Sequence, residues 1–459
     1  MTTISSPPPA TLSTRRRWTV LAVCAAAMFL IGLDTTIVNV ALPRIGSGLR
    51  TGTRGLQWVI DAYTIVFASL LITSGALADR FGRRRVFQIG LVTFGIASVL
   101  CAAASSPELL IAARALQGIG ASMLGPVALG IVVNAMTDPG ERAKAIGIWA
   151  AVFGLSMAAG PTVGGALLEV LDWRAVFWIN APVVATAVVL VALVVPESRS
   201  PHPRPLDLPG QFLLIVLIGL AVGTLIEAPR LGWAEVGALC LLLVVTAVVF
   251  VRVESRRSAP LIDPALFRTP AFTGSVLGAV VVFVALSTTL LLTTFSLQNA
   301  RGWSPFEAGA AVLPLAVGAT VFAPLSGILV ARTGARMPLL FAGVLLGAGG
   351  ACLFFLSENT GLAGLLLAYL LVGSGVGFAN APLTNIAVSS LPPERAGVAG
   401  GTTSTARQVG VSMGIAVAGG LIADVAPAGL AAAARPGWMI VALCGVALIG
   451  VATVVTRRR

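Results

Sequence analysis

Two oppositely charged residues, Asp34 and Arg114, stand inside apolar stretches of the sequence. Asp34 lies nine residues before Pro43, where its apolar run ends, which is roughly 13 Å at ~1.5 Å per helical residue. Arg114 lies about six residues, or roughly 9 Å, into its own run from the same side. The similar depths predict a pair, either a static buried ion pair or a proton site in which protonation of the carboxylate releases the arginine.

A second carboxylate, Asp61, stands about one turn inside the next apolar run, beside Trp58 and Tyr63. The three are either interfacial residues with an aromatic belt or a site that holds a lipophilic cation by charge and cation–π attraction. Arg407 lies near the middle of a later run, and the other C-terminal runs offer no carboxylate to pair with it. It could contact backbone carbonyls, a carboxylate of the other half, or an anionic part of a substrate. The candidate substrate contacts are Asp61, Trp58, Tyr63, Asn39 and Arg407.

Several other kinds of chemistry leave no pattern in this sequence. It contains neither a phosphate-binding glycine loop nor a nucleophile motif, and its five cysteines stand singly, without metal-ligand spacing. We therefore expect no enzyme activity, no metal and no cofactor. A proton gradient rather than ATP would then supply the energy.

The composition is that of a polytopic membrane protein. Of the 459 residues, 57% are hydrophobic and 10% are charged, and the mean hydropathy is +0.96, values that water-soluble domains do not sustain. The net charge of +12 comes from arginines at the ends of apolar runs, as expected beside a membrane. The composition therefore indicates the lipid bilayer as a partner and does not indicate nucleic acid.

Fourteen apolar runs are long enough to span a bilayer. They fall in groups of six, two and six, near residues 18–42, 57–77, 86–104, 108–134, 143–168, 175–195, 209–228, 235–252, 271–295, 306–329, 336–356, 361–388, 397–423 and 436–455. We divide the chain into an N-terminal tail (1–17), an N-terminal six-helix bundle (18–196), a linker with two extra helices (197–268) and a C-terminal bundle with a short tail (269–459).

A basic turn joins the second and third runs, and a weaker copy of it appears downstream. It reads Gly-Ala-Leu-Ala-Asp-Arg-Phe-Gly-Arg-Arg-Arg from Gly75 to Arg85. The glycines allow a sharp path, the aspartate can cap a helix, and the arginines favour the cytoplasmic side. The copy, from Gly327 to Arg336, repeats Gly, Arg, Gly and Arg at an offset of 252 residues. Further pairs at similar offsets predict two homologous bundles with a site between them.

The fifth run is rich in small residues and contains a proline. These residues are Gly154, Gly160, Pro161, Gly164 and Gly165. Small residues let helices approach closely, and proline invites a kink. The pattern predicts a sliding or hinging contact between bundles.

Most arginines fall on one side of the membrane when both termini are placed in the cytoplasm, in agreement with the positive-inside rule. Arg44, Arg50 and Arg54, in the first outer loop, run against this bias. The sequence offers no reason for them.

Taken together, these motifs resemble the major facilitator superfamily and, within it, the fourteen-helix drug:proton antiporters of the EmrB/QacA type. The resemblance covers nearly the whole chain and implies an all-α membrane fold of two six-helix bundles plus two inserted helices. It implies proton coupling by Asp34 and Arg114. It also implies gating or signature roles for Gly75, Asp79, Arg80, Gly82, Arg83, Arg84, Gln117, Gly118, Gly154, Gly160, Pro161, Gly164 and Gly165.

The function that the resemblance implies is proton-driven export of hydrophobic drugs or antibiotics, cationic ones among them. We expect a monomer in the cytoplasmic membrane. One alternative is a proton-coupled transporter of a single metabolite, such as an amino acid, a siderophore or a self-made antibiotic. A second alternative is a membrane scaffold or sensor that transports nothing.

Overall fold

The computed structural model describes residues 13–136, 138–200, 205–355, 361–391, 396–423 and 425–455. Throughout these ranges the chain forms helices joined by short turns, without strands. Parts of the predicted tails and linker lie outside the described residues, namely 1–12, 201–204 and 456–459.

Fourteen helices are numbered here in chain order within the described ranges. They are α1 (Thr14–Leu49), α2 (Thr53–Phe81), α3 (Arg83–Ala102), α4 (Pro107–Ala135), α5 (Pro139–Val170), α6 (Ala175–Val194), α7 (Leu208–Arg230), α8 (Trp233–Glu254), α9 (Pro270–Ala300), α10 (Pro305–Thr333), α11 (Arg336–Phe355), α12 (Leu362–Ser389), α13 (Ala396–Ile422) and α14 (Pro427–Val455).

The helices agree roughly with the fourteen predicted spans. In the described part of the chain, thirteen helices are long and apolar enough to cross a membrane. In α5, the remaining helix, the apolar stretch is Leu155–Val170. The chain therefore forms a multi-pass, all-α membrane protein.

Helix α1 is longer at both ends than its predicted span of 18–42. At its start, the Ser13 hydroxyl accepts a hydrogen bond from the Arg16 amide at 3.4 Å. Pro43, which was expected to end the span, lies inside the helix, which continues for six more residues to Leu49. The helix ends where Arg50 adopts a left-handed conformation with φ 53°.

Side-chain contacts in the structure account for two of the three arginines of the first outer loop, Arg44 and Arg54. Arg44 lies on the extension of α1 and donates to the Leu168 carbonyl at the end of α5. The amide of Arg50 donates to the Gly46 carbonyl and closes α1. Arg54 forms an ion pair with Glu227 of α7 at 2.8 Å. The side chains of Arg44 and Arg54 thus contact neighbouring helix ends, which gives a reason for these two arginines on the outer side.

Helices α1–α6 pack with one another, and so do α9–α14. Following the predicted orientation, we call the side that holds the start of α1 inner and the opposite side outer. The two groups meet where α2 packs on α13 and where α5 packs on α10. The predicted site between the groups would therefore be bordered by these two seams.

Helix α7 lies along the seam between α2 and α13, with which it shares an apolar cluster. Near its inner end, Gln211 donates to the Ser69 carbonyl of α2 at 2.9 Å. Near its outer end, Glu227 accepts from Arg54 and from the Trp58 indole, both on α2, at 2.8 and 3.1 Å. The polar contacts described for α7 thus fasten it to α2, while apolar side chains face α13.

Candidate functional site

Asp34 and Arg114 form a buried ion pair between α1 and α4. The Arg114 Nη1 donates to the Asp34 Oδ2 at 2.7 Å, and the two side chains are 0% and 1% exposed. Two opposite charges in contact leave no net charge in the cluster, which is the condition under which ionised groups tolerate burial.

Three neutral side chains complete the surroundings of the Asp34 carboxylate. Its Oδ1 accepts from the amides of Gln117 on α4 and Asn180 on α6, at 2.9 and 3.1 Å. Both amides also donate to the Ser98 hydroxyl of α3, at 3.0 and 3.3 Å. Ser98 and Asn180 were not among the predicted site residues. In the sequence, each is a polar side chain inside an apolar run.

Arg114 has three further kinds of partner. Its Nη1 also donates to the Gln117 Oε1 at 2.6 Å. Its Nε donates to the Val59 carbonyl of α2 at 3.1 Å. Its guanidinium carbon lies 4.2 Å from the Tyr63 ring centre and 5.9 Å from that of Phe177, which adds cation–π attraction. Arg114 therefore joins α1, α2, α4 and α6, and a change in the charge of Asp34 would be felt by all four helices.

Close packing of α4 brings these side chains within reach. A Cβ at Gly118 would stand 2.6 Å from the Tyr63 carbonyl oxygen of α2. No side chain fits in that space, because real Cβ contacts do not come so close. Gly118 thus sets the helix spacing that lets Arg114 and Gln117 contact their partners.

The structure does not bring Asp61, Trp58 and Tyr63 together. Trp58 donates to Glu227 of α7, and Tyr63 lies under Arg114. Asp61 is 0% exposed, accepts from Thr64 at 3.2 Å, and lies beside the hydroxyl pair of Thr64 and Ser412, which joins α2 to α13. The separation follows from the helical period of 100° per residue, which points the three side chains in different directions.

Asn39 and Arg407 occupy separate positions. The Asn39 amide donates to the Thr35 carbonyl one turn earlier, at 3.1 Å, and the side chain is 7% exposed. Arg407 is half-buried between α9 and α12. Its Nη2 donates to the Thr384 hydroxyl at 2.5 Å.

The basic turn is held by residues that follow α6. Arg83 pairs with Asp79 at 2.8 Å, and its backbone amide donates to the Ser198 carbonyl at 2.9 Å. The Arg84 amide donates to the Glu197 carboxylate at 3.1 Å. Arg80 is exposed and lies over the Phe81 ring. Glu197, as a partner of the turn, was missed because its contacts are remote in sequence.

The two glycines predicted to shape the basic turn, Gly75 and Gly82, differ in backbone conformation. Gly82 has φ 110°. Gly334, which corresponds to Gly82 in the downstream copy, also has a positive φ, 76°. Gly75 lies within α2, and a Cβ there would meet nothing within 4 Å. The expectation that Gly75 is needed for a sharp path is therefore wrong for this structure, because the turn begins only after α2 ends.

Replacing Gly82 with alanine is expected to destabilise the protein. Gly82 has φ 110° and ψ 131°, a sparsely populated region that costs a residue with a Cβ roughly 1–3 kcal/mol, and the added Cβ would stand 2.6 Å from the Glu197 carboxylate. Thermal unfolding of the purified protein measures the effect. Gly75→Ala is the matched control and should unfold at the wild-type temperature or above it. Equal unfolding temperatures for wild type and Gly82→Ala would contradict the expectation.

The small residues of α5 face two different partners. A Cβ at Gly160 would lie 2.9 Å from the Thr36 Cβ, and one at Gly164 would lie 2.7 Å from the Ile37 Cγ1, both on α1. A Cβ at Gly165 would instead lie 2.6 Å from the Pro305 carbonyl oxygen of α10. Pro161 is on the face that meets Gly309 of α10. The surroundings of Gly154 lie outside the described residues.

Comparison with known proteins identifies similar chains. A family model described as Major Facilitator Superfamily matches residues 24–415. The chain is 39% identical, over 86% of its length and 74% of the relative's, to the "Multidrug resistance protein Stp" of Mycobacterium tuberculosis (strain CDC 1551 / Oshkosh). It is 37% identical, over 89% of its length and 76% of the relative's, to the "Tetracenomycin C resistance and export protein" of Streptomyces glaucescens.

A solved structure shares the fold. The crystal structure of a POT family transporter in complex with 5-aminolevulinic acid has a TM-score of 0.69 to this chain and covers 98% of it, with 99% of that chain covered in turn. The two sequences are 15% identical, so this likeness concerns the fold alone.

Proposed function

The chain belongs to the Major Facilitator Superfamily, and from this premise we propose that it is a drug efflux transporter that exchanges inward-moving protons for outgoing drugs. The substrates are hydrophobic drugs or antibiotics, cationic ones among them. Export agrees with the names of its relatives. The observation that carries the proton coupling is the buried Asp34–Arg114 pair, whose contacts reach four helices of the N-terminal bundle.

Coupling requires that proton and drug favour different conformations. While Asp34 is ionised, it balances the charge of Arg114 and accepts three hydrogen bonds. Protonation removes the negative charge and leaves Arg114 without a counter-ion. The uncompensated buried charge destabilises this arrangement of the helices that the pair joins, and so favours a rearrangement. A proton arriving from outside would then favour one state, and a drug arriving from inside the other.

The proposed setting is the cytoplasmic membrane, with both termini in the cytoplasm and the protein acting as a monomer. The basic turn with Arg80, Arg83 and Arg84 supports this orientation, because arginines concentrate on the cytoplasmic side. In this orientation the outer ends of α5 and α10 touch each other.

Growth inhibition in a bacterial strain that lacks its own efflux pumps tests the proposed function. Expression should protect against many unrelated hydrophobic drugs, and dissipation of the proton gradient should remove the protection. Protection against one compound alone would favour the single-metabolite transporter. Purified protein in vesicles with an imposed pH gradient provides the second test. Absence of gradient-driven flux for every compound that protects would favour a scaffold or sensor.

Replacing Asp61 with asparagine is expected to impair export of cations selectively. Asp61 is enclosed between α2 and α13 in this conformation, so a cation would reach it when these helices separate. Asparagine keeps the shape and removes the charge. We expect efflux of ethidium to fall by about tenfold, the equivalent of ~1.4 kcal/mol, and efflux of a neutral drug to stay near wild type. Thr64→Val, which keeps the carboxylate, is the control; equal losses for both drugs in Asp61→Asn would refute a cation site.

A further inference from the structure

We propose that Arg407 is the binding site for an acidic group of the transported drug, a carboxylate. This inference rests on the proposed efflux function and names a substrate class for it. Two observations support it. The Arg407 guanidinium is half-buried in the middle of a spanning helix, and all of its described partners are uncharged.

The surroundings of Arg407 hold it in place without balancing its charge. Its Nη2 donates to the Thr384 hydroxyl of α12 at 2.5 Å, and that hydroxyl in turn donates to the Asn380 carbonyl at 2.9 Å. The guanidinium carbon lies 5.9 Å from the centre of the Phe283 ring of α9. A guanidinium carries five N–H donors, so most of them remain for another acceptor.

The described part of the protein offers no carboxylate for this purpose. After residue 269 the sequence contains four acidic residues, Glu307, Glu358, Glu394 and Asp424. Glu307 lies in the first turn of α10, and the other three lie outside the described residues. In the N-terminal bundle, Asp34 is paired with Arg114. Asp61 is fully buried beside Thr64 and Ser412. No ion pair joins Arg407 to a carboxylate among the described residues.

A charge at this position is costly unless a partner balances it. The planar fork of arginine matches carboxylate oxygens and forms two parallel hydrogen bonds with them. The neighbouring Phe283 ring offers an apolar face to an aromatic body attached to the acid. The site therefore favours a drug with an acidic group on a flat hydrophobic skeleton. An inorganic anion such as chloride has the same charge but lacks that skeleton.

Binding of two matched dyes tests the inference. The probes are a xanthene dye with a free benzoate and the methyl ester of the same dye, and the measurement is fluorescence polarisation with the full-length protein in lipid nanodiscs. We expect wild type to bind the benzoate more tightly than the ester. In Arg407→Gln, the affinity for the benzoate should fall about 10- to 100-fold, the range for one hydrogen-bonded charge, while the ester should bind as before.

Two further variants separate charge from shape. Arg407→Lys keeps the charge without the fork and should give an intermediate affinity for the benzoate. Thr384→Val removes only the neutral acceptor and should leave the preference for the acid in place. Thermal unfolding checks that each variant is folded. If Arg407→Gln does not fold, Arg407→Lys provides the comparison with wild type. Equal losses for both dyes, or no preference for the acid in wild type, would overturn the proposal.

Chloride distinguishes a drug acid from an inorganic anion. If the site holds chloride alone, wild type will bind the benzoate no more tightly than the ester, Arg407→Gln will change neither affinity, and chloride will raise the unfolding temperature of wild type but not that of Arg407→Gln. That outcome assigns the site to chloride and overturns the drug-acid proposal. Gradient-driven efflux of the ester measures the proposed function separately. If the acid preference depends on Arg407 but no dye is exported, the binding site stands and the efflux function fails.

Discussion

Proton-driven drug efflux is expected to fall to the level of empty vesicles when Asp34 is replaced by asparagine. The amide fills the same space and keeps hydrogen-bonding capacity, but it can neither bind nor release a proton. Drug binding should persist, because Asp34 is fully buried and lies within the N-terminal bundle. Two measurements in reconstituted vesicles check this. The first is drug flux driven by an imposed pH gradient, and the second is exchange of drug across the membrane without a pH gradient.

Stability has to be separated from coupling in this experiment. Asp34→Asn leaves Arg114 as a buried cation without a counter-ion, and breaking a buried pair from one side costs about 3–5 kcal/mol. The double variant Asp34→Asn, Arg114→Gln removes both charges and should recover most of the stability but none of the gradient-driven flux. Ser98→Ala, which removes a neutral member of the same network, should retain coupling. Gradient-driven flux at the wild-type rate in Asp34→Asn would remove Asp34 from the mechanism.

The second large effect is expected from Gly165→Ala, at the contact between the bundles. The new Cβ would stand 2.6 to 3.0 Å from backbone atoms of Pro305 and Phe306 on α10, and backbone cannot move aside as a side chain can. Overpacking of this kind costs about 1–3 kcal/mol. That cost falls on the conformation in which the outer ends of α5 and α10 touch, so its population should drop about 10- to 100-fold relative to states in which they are apart.

The neighbouring residue supplies a matched control for this prediction. Gly164 faces Ile37 of α1 within the same bundle, so Gly164→Ala should lower stability without changing the distance between bundles. Spin labels at the outer ends of α5 and α10 measure that distance, and efflux assays measure the consequence. Gly165→Ala should lengthen the distance and slow efflux, whereas an unchanged distance distribution would show that this contact does not limit the conformational change.

The sequence was sufficient for the membrane fold, for a physical reason. Each spanning helix satisfies its own backbone hydrogen bonds, so length and hydropathy alone predicted spans that roughly agree with the structure. Helix depth also placed Asp34 and Arg114 at similar levels, and the structure shows them in contact. The repeat of the basic turn placed Gly82 and Gly334 at equivalent positions, and both have positive φ, whereas Gly75 lies within α2.

Side-chain direction and remote partners required the tertiary structure. Trp58, Asp61 and Tyr63 are neighbours in sequence, but the rotation of α2 directs them toward α7, α13 and Arg114. Periodicity predicts that such residues diverge but does not say which helix each of them meets. The position of α7 along the seam between α2 and α13 likewise depends on packing between distant segments.

By itself the sequence predicted fourteen spans, in rough agreement with the structure, and showed which of them carry charged residues and at what position along each span. It did so because hydropathy and helical rise are local properties. Only the tertiary structure decided which charges are balanced, since Ser98 and Asn180 complete the Asp34 network from helices remote in sequence, whereas the contacts of Arg407 within the described part of the chain are a hydroxyl and an aromatic ring. Electrostatic balance depends on distances between helices, and those distances exist only once the bundles have packed.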